Sequence, residues 1–366
     1  MTKLEELHAA GQSVWLDFIS RGMLEAGELD DLVGRGLRGL TSNPSIFQKA
    51  IGQSDDYDDD LATLLDESAP DDINGIYEQL VIGDIQAAAD ALRSVYDSSG
   101  ATDGFVSLEV SPLLASDTQA TVNEAKRLWK LVDRPNLMIK VPATPEGIPA
   151  IESLIADGIN VNVTLMFSMD HYEAVANAYL RGISQTADPS KVASVASFFV
   201  SRVDGKIDAA LEQIGTDEAL ALRGKIAVDN SKAVYQRYQE LFEGEAFAEL
   251  ANRGARPQRV LWASTSTKNP EYSDVLYVDE LVGPNTVNTL PPATLEAFED
   301  HGTVDASAIT SDLEASLSRL EQLGPVGVDL DAITDELQTE GVESFSQAFE
   351  DLMSTLEKKV DKLSDG

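Results

Sequence analysis

Lys140 stands near the end of an apolar run, Leu137-Met138-Ile139-Lys140-Val141-Pro142. A short continuous run of this kind fits a strand covered on both faces. An ammonium placed there must be paired or lose its proton, and a neutral amine in a dry site is a nucleophile toward carbonyl carbon. Taken alone, the run reads first as a lysine that snorkels to the rim of a sheet. Other strand ends change that order. Asp17, Asn43, Glu109, Thr164 and Ser197 stand at or near the ends of other predicted strands, Arg202 follows Ser197, and Ser266 and Lys268 follow a seventh strand. One polar group per strand end, on otherwise apolar strands, is hard to explain as packing. Each has a plainer reading by itself. Asp17 or Glu109 serves as an ion-pair partner for Lys140, Asn43 and Thr164 as capping groups, and Arg202 as a bridge to Asp204.

A lysine with two carboxylates suits one kind of chemistry. The amine attacks a ketone and forms an imine, which acts as an electron sink. One carboxylate takes the proton from a β-hydroxyl as the carbon–carbon bond breaks. The second, through water, shuttles the protons of imine formation and breakdown. No metal and no cofactor is required. Arg202, Ser266 and Lys268 suit a phosphate clamp, because an arginine fork matches phosphate oxygens. From spacing alone, the clamp and the bridge to Asp204 stand level for Arg202.

The elements that must hold these groups alternate. Strands are expected at 12–18, 37–41, 104–110, around Lys140, at 160–167, 192–200, 259–263 and 285–289. Helices are expected at 2–10, 23–35, after Pro44, over an acidic start in 54–67, and at 71–99, 117–131, 144–157 and 169–184. Two more fill 204–253, and the chain is helical from Pro291. Eight β-α units without a Pro-, Gly- or Ser-rich linker predict a closed (β/α)8 TIM barrel in the α/β class. Residues 1–366 are expected to form one domain, with a helical elaboration near 215–253 and closing helices at about 306–363. By letter, residues 34–39 match G-x-G-x-x-G. A helix precedes them and a strand follows, the reverse of a dinucleotide fingerprint, so a capped loop is the reading.

Composition bounds the partners. The 366 residues carry 63 acidic and 27 basic side chains, a formal net charge of −36. That charge argues against nucleic acid and anionic membranes as partners, and a phosphorylated substrate needs a local cationic pocket to overcome it. There is no cysteine, hence no disulfide, thiolate nucleophile or cysteine metal site. His8, His171 and His301 form no metal-ligand pattern. No apolar run reaches membrane-spanning length and the N-terminus lacks a signal pattern, so a cytoplasmic chain is expected.

Six segments together resemble the transaldolase family, in its order and at suitable spacings. They are Trp15-Leu16-Asp17, Leu40-Thr41-Ser42-Asn43-Pro44-Ser45, Ser107-Leu108-Glu109-Val110, Met138-Ile139-Lys140-Val141-Pro142-Ala143-Thr144, residues 158–165 around Asn162-Val163-Thr164, and Ser197-Phe198-Phe199-Val200-Ser201-Arg202. The resemblance runs from about Val14 to about Pro292. It implies a Schiff-base aldolase-type barrel of the pentose phosphate pathway. Such an enzyme moves a dihydroxyacetone unit from sedoheptulose 7-phosphate to glyceraldehyde 3-phosphate, giving erythrose 4-phosphate and fructose 6-phosphate. The resemblance makes Lys140 the Schiff-base lysine and Asp17 the acid/base for carbon–carbon cleavage. Glu109 and Thr164 become the pair that holds the catalytic water. Asn43 and Ser197, with Thr41, would bind the dihydroxyacetone hydroxyls, and Arg202, Ser266 and Lys268 the phosphate. Lys268 departs from the family's arginine, so that contact becomes a point charge. Residues 264–269 also align one or two positions away.

Three rival readings stand beside this one. A related aldolase would release free dihydroxyacetone from fructose 6-phosphate with much the same residues, and dependence on an acceptor aldehyde separates the two. A silent barrel would only bind sugar phosphates, with Lys140 salt-bridged. A nicotinamide enzyme built on residues 34–39 comes third.

Overall fold

Eight short strands, nearly every residue of each buried, close on themselves in the computed structural model, which describes residues 1–67 and 72–364. They are β1 (Gln12–Leu16), β2 (Gly39–Thr41), β3 (Phe105–Glu109), β4 (Leu137–Pro142), β5 (Val161–Met166), β6 (Ser194–Phe199), β7 (Arg259–Ala263) and β8 (Thr286–Leu290). Each pairs in parallel with the next. β8 returns to β1 with Gln12 opposite Thr286 and Leu16 opposite Leu290, so no edge is left open. This is the predicted (β/α)8 barrel. Among the described residues, no helix is long and apolar enough to cross a membrane.

The barrel interior is packed with some polar groups. Trp15 fills it beside Gly39, where an added Cβ would stand 2.6 Å from the indole, so the strand must be bare there. Asn162 joins three strands: its Nδ2 donates to Ser107 Oγ at 2.9 Å and its Oδ1 accepts from Ser197 Oγ at 2.6 Å. At the amino end of the strands, Asp103 accepts from Ser13 Oγ at 2.7 Å, Trp15 Nε1 at 3.3 Å, Arg38 Nε at 2.8 Å and Arg259 Nη2 at 3.0 Å. Burial pushes the Asp103 carboxyl upward, but the Arg259 charge and the bonds from Arg38 and Ser13 outweigh it and hold it below the usual carboxylate range.

Helix boundaries differ from the sequence reading where a local backbone preference intervenes. The helix expected at 23–35 is two, Arg21–Glu25 and Glu28–Gly34, parted at Gly27, whose φ of 75° is left-handed. The helix expected at 71–99 breaks into Ile73–Ala91 and Arg93–Ser98, and residue 71 lies outside the described residues. The two helices expected at 204–253 are four, Ser201–Ile214, Asp217–Leu220, Ile226–Phe242 and Glu245–Asn252. Beyond β8 come Pro292–His301, Leu313–Val326 and the long Leu330–Ser364. The last crosses back over the barrel, and its Gln338 Nε2 donates to Ala143 O at 3.1 Å and Leu165 O at 3.0 Å.

Candidate active site

Parallel register sets the centre of the site. Glu109, the last residue of β3, sits opposite Lys140 near the end of β4. Their side chains meet with Lys140 Nζ 3.7 Å from Glu109 Oε2, beyond a hydrogen bond but within ion-pair range, and both are almost sealed from solvent. Lys140 Nζ also donates to Ser42 O at 3.2 Å. The Phe345 ring centre, from the helix Leu330–Ser364, lies 5.7 Å from the same nitrogen. Burial pushes the Glu109 carboxyl up to about 7, despite the opposing pull of the Lys140 ammonium. A group that titrates there can give and take protons near neutrality.

Asp17 follows β1 directly, its backbone N donating to Leu290 O at 2.8 Å. Burial raises its pKa above the ordinary carboxylate value, while the Lys140 charge and a 2.7 Å bond from Thr41 Oγ1 pull the other way. Thr41 closes β2. Asn43 then caps the helix Pro44–Gln53, its Oδ1 accepting from Ile46 N at 3.0 Å. The cap uses the amide oxygen and leaves the amide nitrogen without a partner among the described residues. The capping reading and a binding role are therefore compatible.

Thr164 lies in an irregular part of β5, where the register to β6 shifts between Val163 and Met166 and Leu165 adopts φ 63°. Such a bulge re-aims a side chain, and a leucine in this region is strained. Thr164 Oγ1 and Glu109 Oε2 are both buried polar atoms with no hydrogen-bond partner among the described residues.

A cavity of about 590 Å³ at the carboxyl ends of the strands gathers Asp17, Thr41, Asn43, Lys140, Thr164, Ser197, Arg202, Ser266 and Lys268. Of the ten residues singled out in the sequence, only Glu109 is not on its wall. Glu109 instead lines an adjoining cavity of about 290 Å³ with Tyr77 and Phe349, and Asn43 belongs to both. The larger cavity is also lined by Lys49, Phe199, Thr289 and Phe345, which the sequence reading had not singled out. Thr289 ended a strand that was recognised, so its place was available. Nothing in the sequence ties Lys49 or Phe345 to the barrel mouth.

The bridge from Arg202 to Asp204 does not form. Asp204 is turned away, its Oδ1 accepting from Ala227 N and its Oδ2 from Tyr277 Oη, both at 2.8 Å. Arg202 instead lays its guanidinium 5.4 Å from the Phe199 ring centre and has no ion-pair partner among the described residues. Burial lowers its pKa, with the more distant charge of Glu340 opposing. Lys268 Nζ donates to Ser266 Oγ at 2.6 Å, which brings those two groups together on the wall. A half-buried cation without a counter-ion, on one cavity wall with a lysine and a serine, has the charge and donors that a doubly charged anion requires.

The histidines stand elsewhere: His171, largely buried, meets Asp335 at 3.1 Å, and the exposed His301 meets Asp274 at 2.8 Å. Residues 34–39 run from the end of the helix Glu28–Gly34 into β2, as the sequence reading has it.

Residues 14–356 match the family model described as Transaldolase/Fructose-6-phosphate aldolase. The match extends beyond Pro292 and takes in most of the helix Leu330–Ser364. A protein named transaldolase from Frankia alni is 49% identical over 362 residues, covering 98% of this chain and 97% of that protein. One from Mycobacterium marinum is 48% identical over 367 residues, covering 99% and 98%. One from Thiobacillus denitrificans is 49% identical over 361 residues, covering 97% and 100%.

Proposed function

The chain belongs to the transaldolase/fructose-6-phosphate aldolase family and is an enzyme of the transaldolase type; on that premise we propose how its residues divide the work. Its reaction is the family's, transfer of a dihydroxyacetone unit from sedoheptulose 7-phosphate to glyceraldehyde 3-phosphate. Its substrates are accordingly sugar phosphates.

Lys140 in its neutral form attacks the donor ketone at C2, and loss of water gives the iminium. Asp17 takes the proton of the C4 hydroxyl, the C3–C4 bond breaks, and its electrons enter the iminium to give an enamine as the aldehyde leaves. The acceptor aldehyde then takes up the enamine carbon, and Asp17 returns its proton to the new hydroxyl. Glu109 and Thr164 hold and deprotonate the water that forms and breaks the imine. Their two buried, unpartnered oxygens support that role. Asn43 and Ser197, with Thr41, bind the hydroxyls of the three-carbon unit. Arg202, Ser266 and Lys268 bind the phosphate. The observation that carries this reading is a buried lysine 3.7 Å from one carboxylate and on one cavity wall with another.

The chain is also proposed to act as one domain, since a single cluster of buried apolar residues runs from Leu4 to Val360. A cytoplasmic setting without nucleic-acid partners is proposed from the sequence and from the net charge of −36.

The test is borohydride reduction in the presence of fructose 6-phosphate, followed by intact mass and peptide mapping. The expected result is a dihydroxyacetone-sized adduct on Lys140, with sugar product appearing only when an acceptor aldehyde is added. Folded protein that binds the sugar phosphate but gives no adduct would overturn the assignment.

A further inference from the structure

Phe345 is the side chain that the helix Leu330–Ser364 contributes to the wall of the larger cavity, and no step above uses it. Phe345 is 5% exposed and its ring centre lies 5.7 Å from Lys140 Nζ. The helix is pinned so that the ring stays there. Gln338 donates to Ala143 O just past β4 and to Leu165 O in β5. Three residues on, Gly341 lets the helix settle on the strained Leu165, since an added Cβ would stand 2.8 Å from Leu165 Cδ2. Phe345 follows four residues later on the same helix face. One more turn on, Phe349 packs edge-on against Tyr77 with ring centres 5.6 Å apart. Polar pinning on one side and aromatic packing on the other leave the ring little room to swing.

We propose that Phe345 is a positioning residue that keeps water from the lysine-bound three-carbon unit, and so sets how that unit divides between transfer and hydrolysis. The proposal rests on the imine reading of Lys140. After cleavage the unit is an enamine. In transfer, its nucleophilic carbon attacks the acceptor aldehyde. In hydrolysis, that carbon takes a proton instead, giving the iminium. Water then adds at C2, one of its protons passes to nitrogen, the C–N bond breaks with its electrons going to nitrogen as Glu109 takes the other proton, and free dihydroxyacetone and amine result. The ring has no polar atom to hold a water, and it covers the nitrogen on the side of the long helix. Its face also attracts a cation within about 6 Å, which serves the ammonium and the iminium alike. Covering the reactive unit prevents its loss to water during the interval before an acceptor binds.

The experiment compares wild type, Phe345→Leu and Phe345→Ala. Two rates are measured with fructose 6-phosphate: release of free dihydroxyacetone without acceptor, and transfer to erythrose 4-phosphate. Borohydride trapping is run on the same preparations. The ratio of hydrolysis to transfer is expected to rise about tenfold or more in Phe345→Ala and by an intermediate amount in Phe345→Leu, with the Lys140 adduct retained in all three. A parallel fall of both rates at constant ratio would overturn the proposal, because a ring that only packs has no reason to change the partition. If Phe345→Ala does not fold, Phe345→Leu decides: a raised ratio supports the proposal and a wild-type ratio overturns it. Absence of the adduct from wild type would remove the imine reading itself, an outcome distinct from an unchanged partition.

Discussion

The Thr41 hydroxyl donates to Asp17 Oδ1 at 2.7 Å and meets the Thr289 hydroxyl at the same distance. Since the Thr41 proton goes to Asp17, Thr289 is the donor in the second contact. Three strands, β1, β2 and β8, thus fix the Asp17 carboxylate. The bond from Thr41 favours the charged form of Asp17 against the burial that opposes it. Thr41→Val removes the donor and keeps the volume. The Asp17 pKa should then rise further, and the acid limb of the kcat profile should move to higher pH, with roughly a tenfold loss of turnover at low pH. An unmoved limb would mean that Asp17 is not the group whose ionisation that limb reports.

Lys140→Ala should abolish borohydride trapping and lower turnover by at least about 10⁴-fold. Circular dichroism should still report the barrel, because the strands around position 140 keep their apolar neighbours. An adduct that persists on another lysine would displace Lys140 from its role.

Arg202→Ala removes the half-buried cation that stacks on Phe199. KM for phosphorylated donors should rise by about 10- to 100-fold, the cost of one charge-assisted contact. KM for an unphosphorylated ketose should barely change. Equal losses on both would point to a packing role.

Asp204 offers a stability test away from the chemistry. Burial pushes its carboxyl up to about 7, against the bonds from Ala227 N and Tyr277 Oη that favour the charge. The folded chain therefore holds a proton that the unfolded chain has already released, and stability falls as pH rises from the ordinary carboxylate range to about 7. Asp204→Asn is never charged. It should match wild type at pH 4 and exceed it at pH 8 by on the order of 3 kcal/mol, read by urea denaturation at the two pH values. A constant difference across that range would show that Asp204 does not ionise on this scale.

Much of the site was legible because strands here are continuous apolar runs with one polar residue near the end. In a parallel barrel all such ends come to one rim, so Asp17, Asn43, Thr164, Ser197 and Lys140 fall together once the alternation is seen. Asn162 was visible only as part of a motif, because its hydrogen bonds to Ser107 and Ser197 depend on register between strands. Arg202 could not be decided from spacing, since only the turn of its helix shows that Asp204 faces the other way. Phe345 was hidden for a different reason. Its contact with Lys140 joins positions 205 residues apart through a helix whose docking depends on Gln338 and Gly341. The break in the helix expected at 23–35 was missed because a single left-handed glycine, Gly27, outweighs the periodicity on either side of it.

The Asp103 cluster lies at the opposite end of the strands from Lys140, drawing together residues of β1 and β7 and the approaches to β2 and β3. A buried ion-pair network and the proposed chemistry therefore occupy separate ends of one molecule. Variation at the rim can be selected for new aldehydes while the other end holds heat tolerance constant, and a library confined to rim positions should keep its melting temperature as its substrate range widens. Repeated adaptation of this barrel would then proceed by editing one face and leaving its foundation alone.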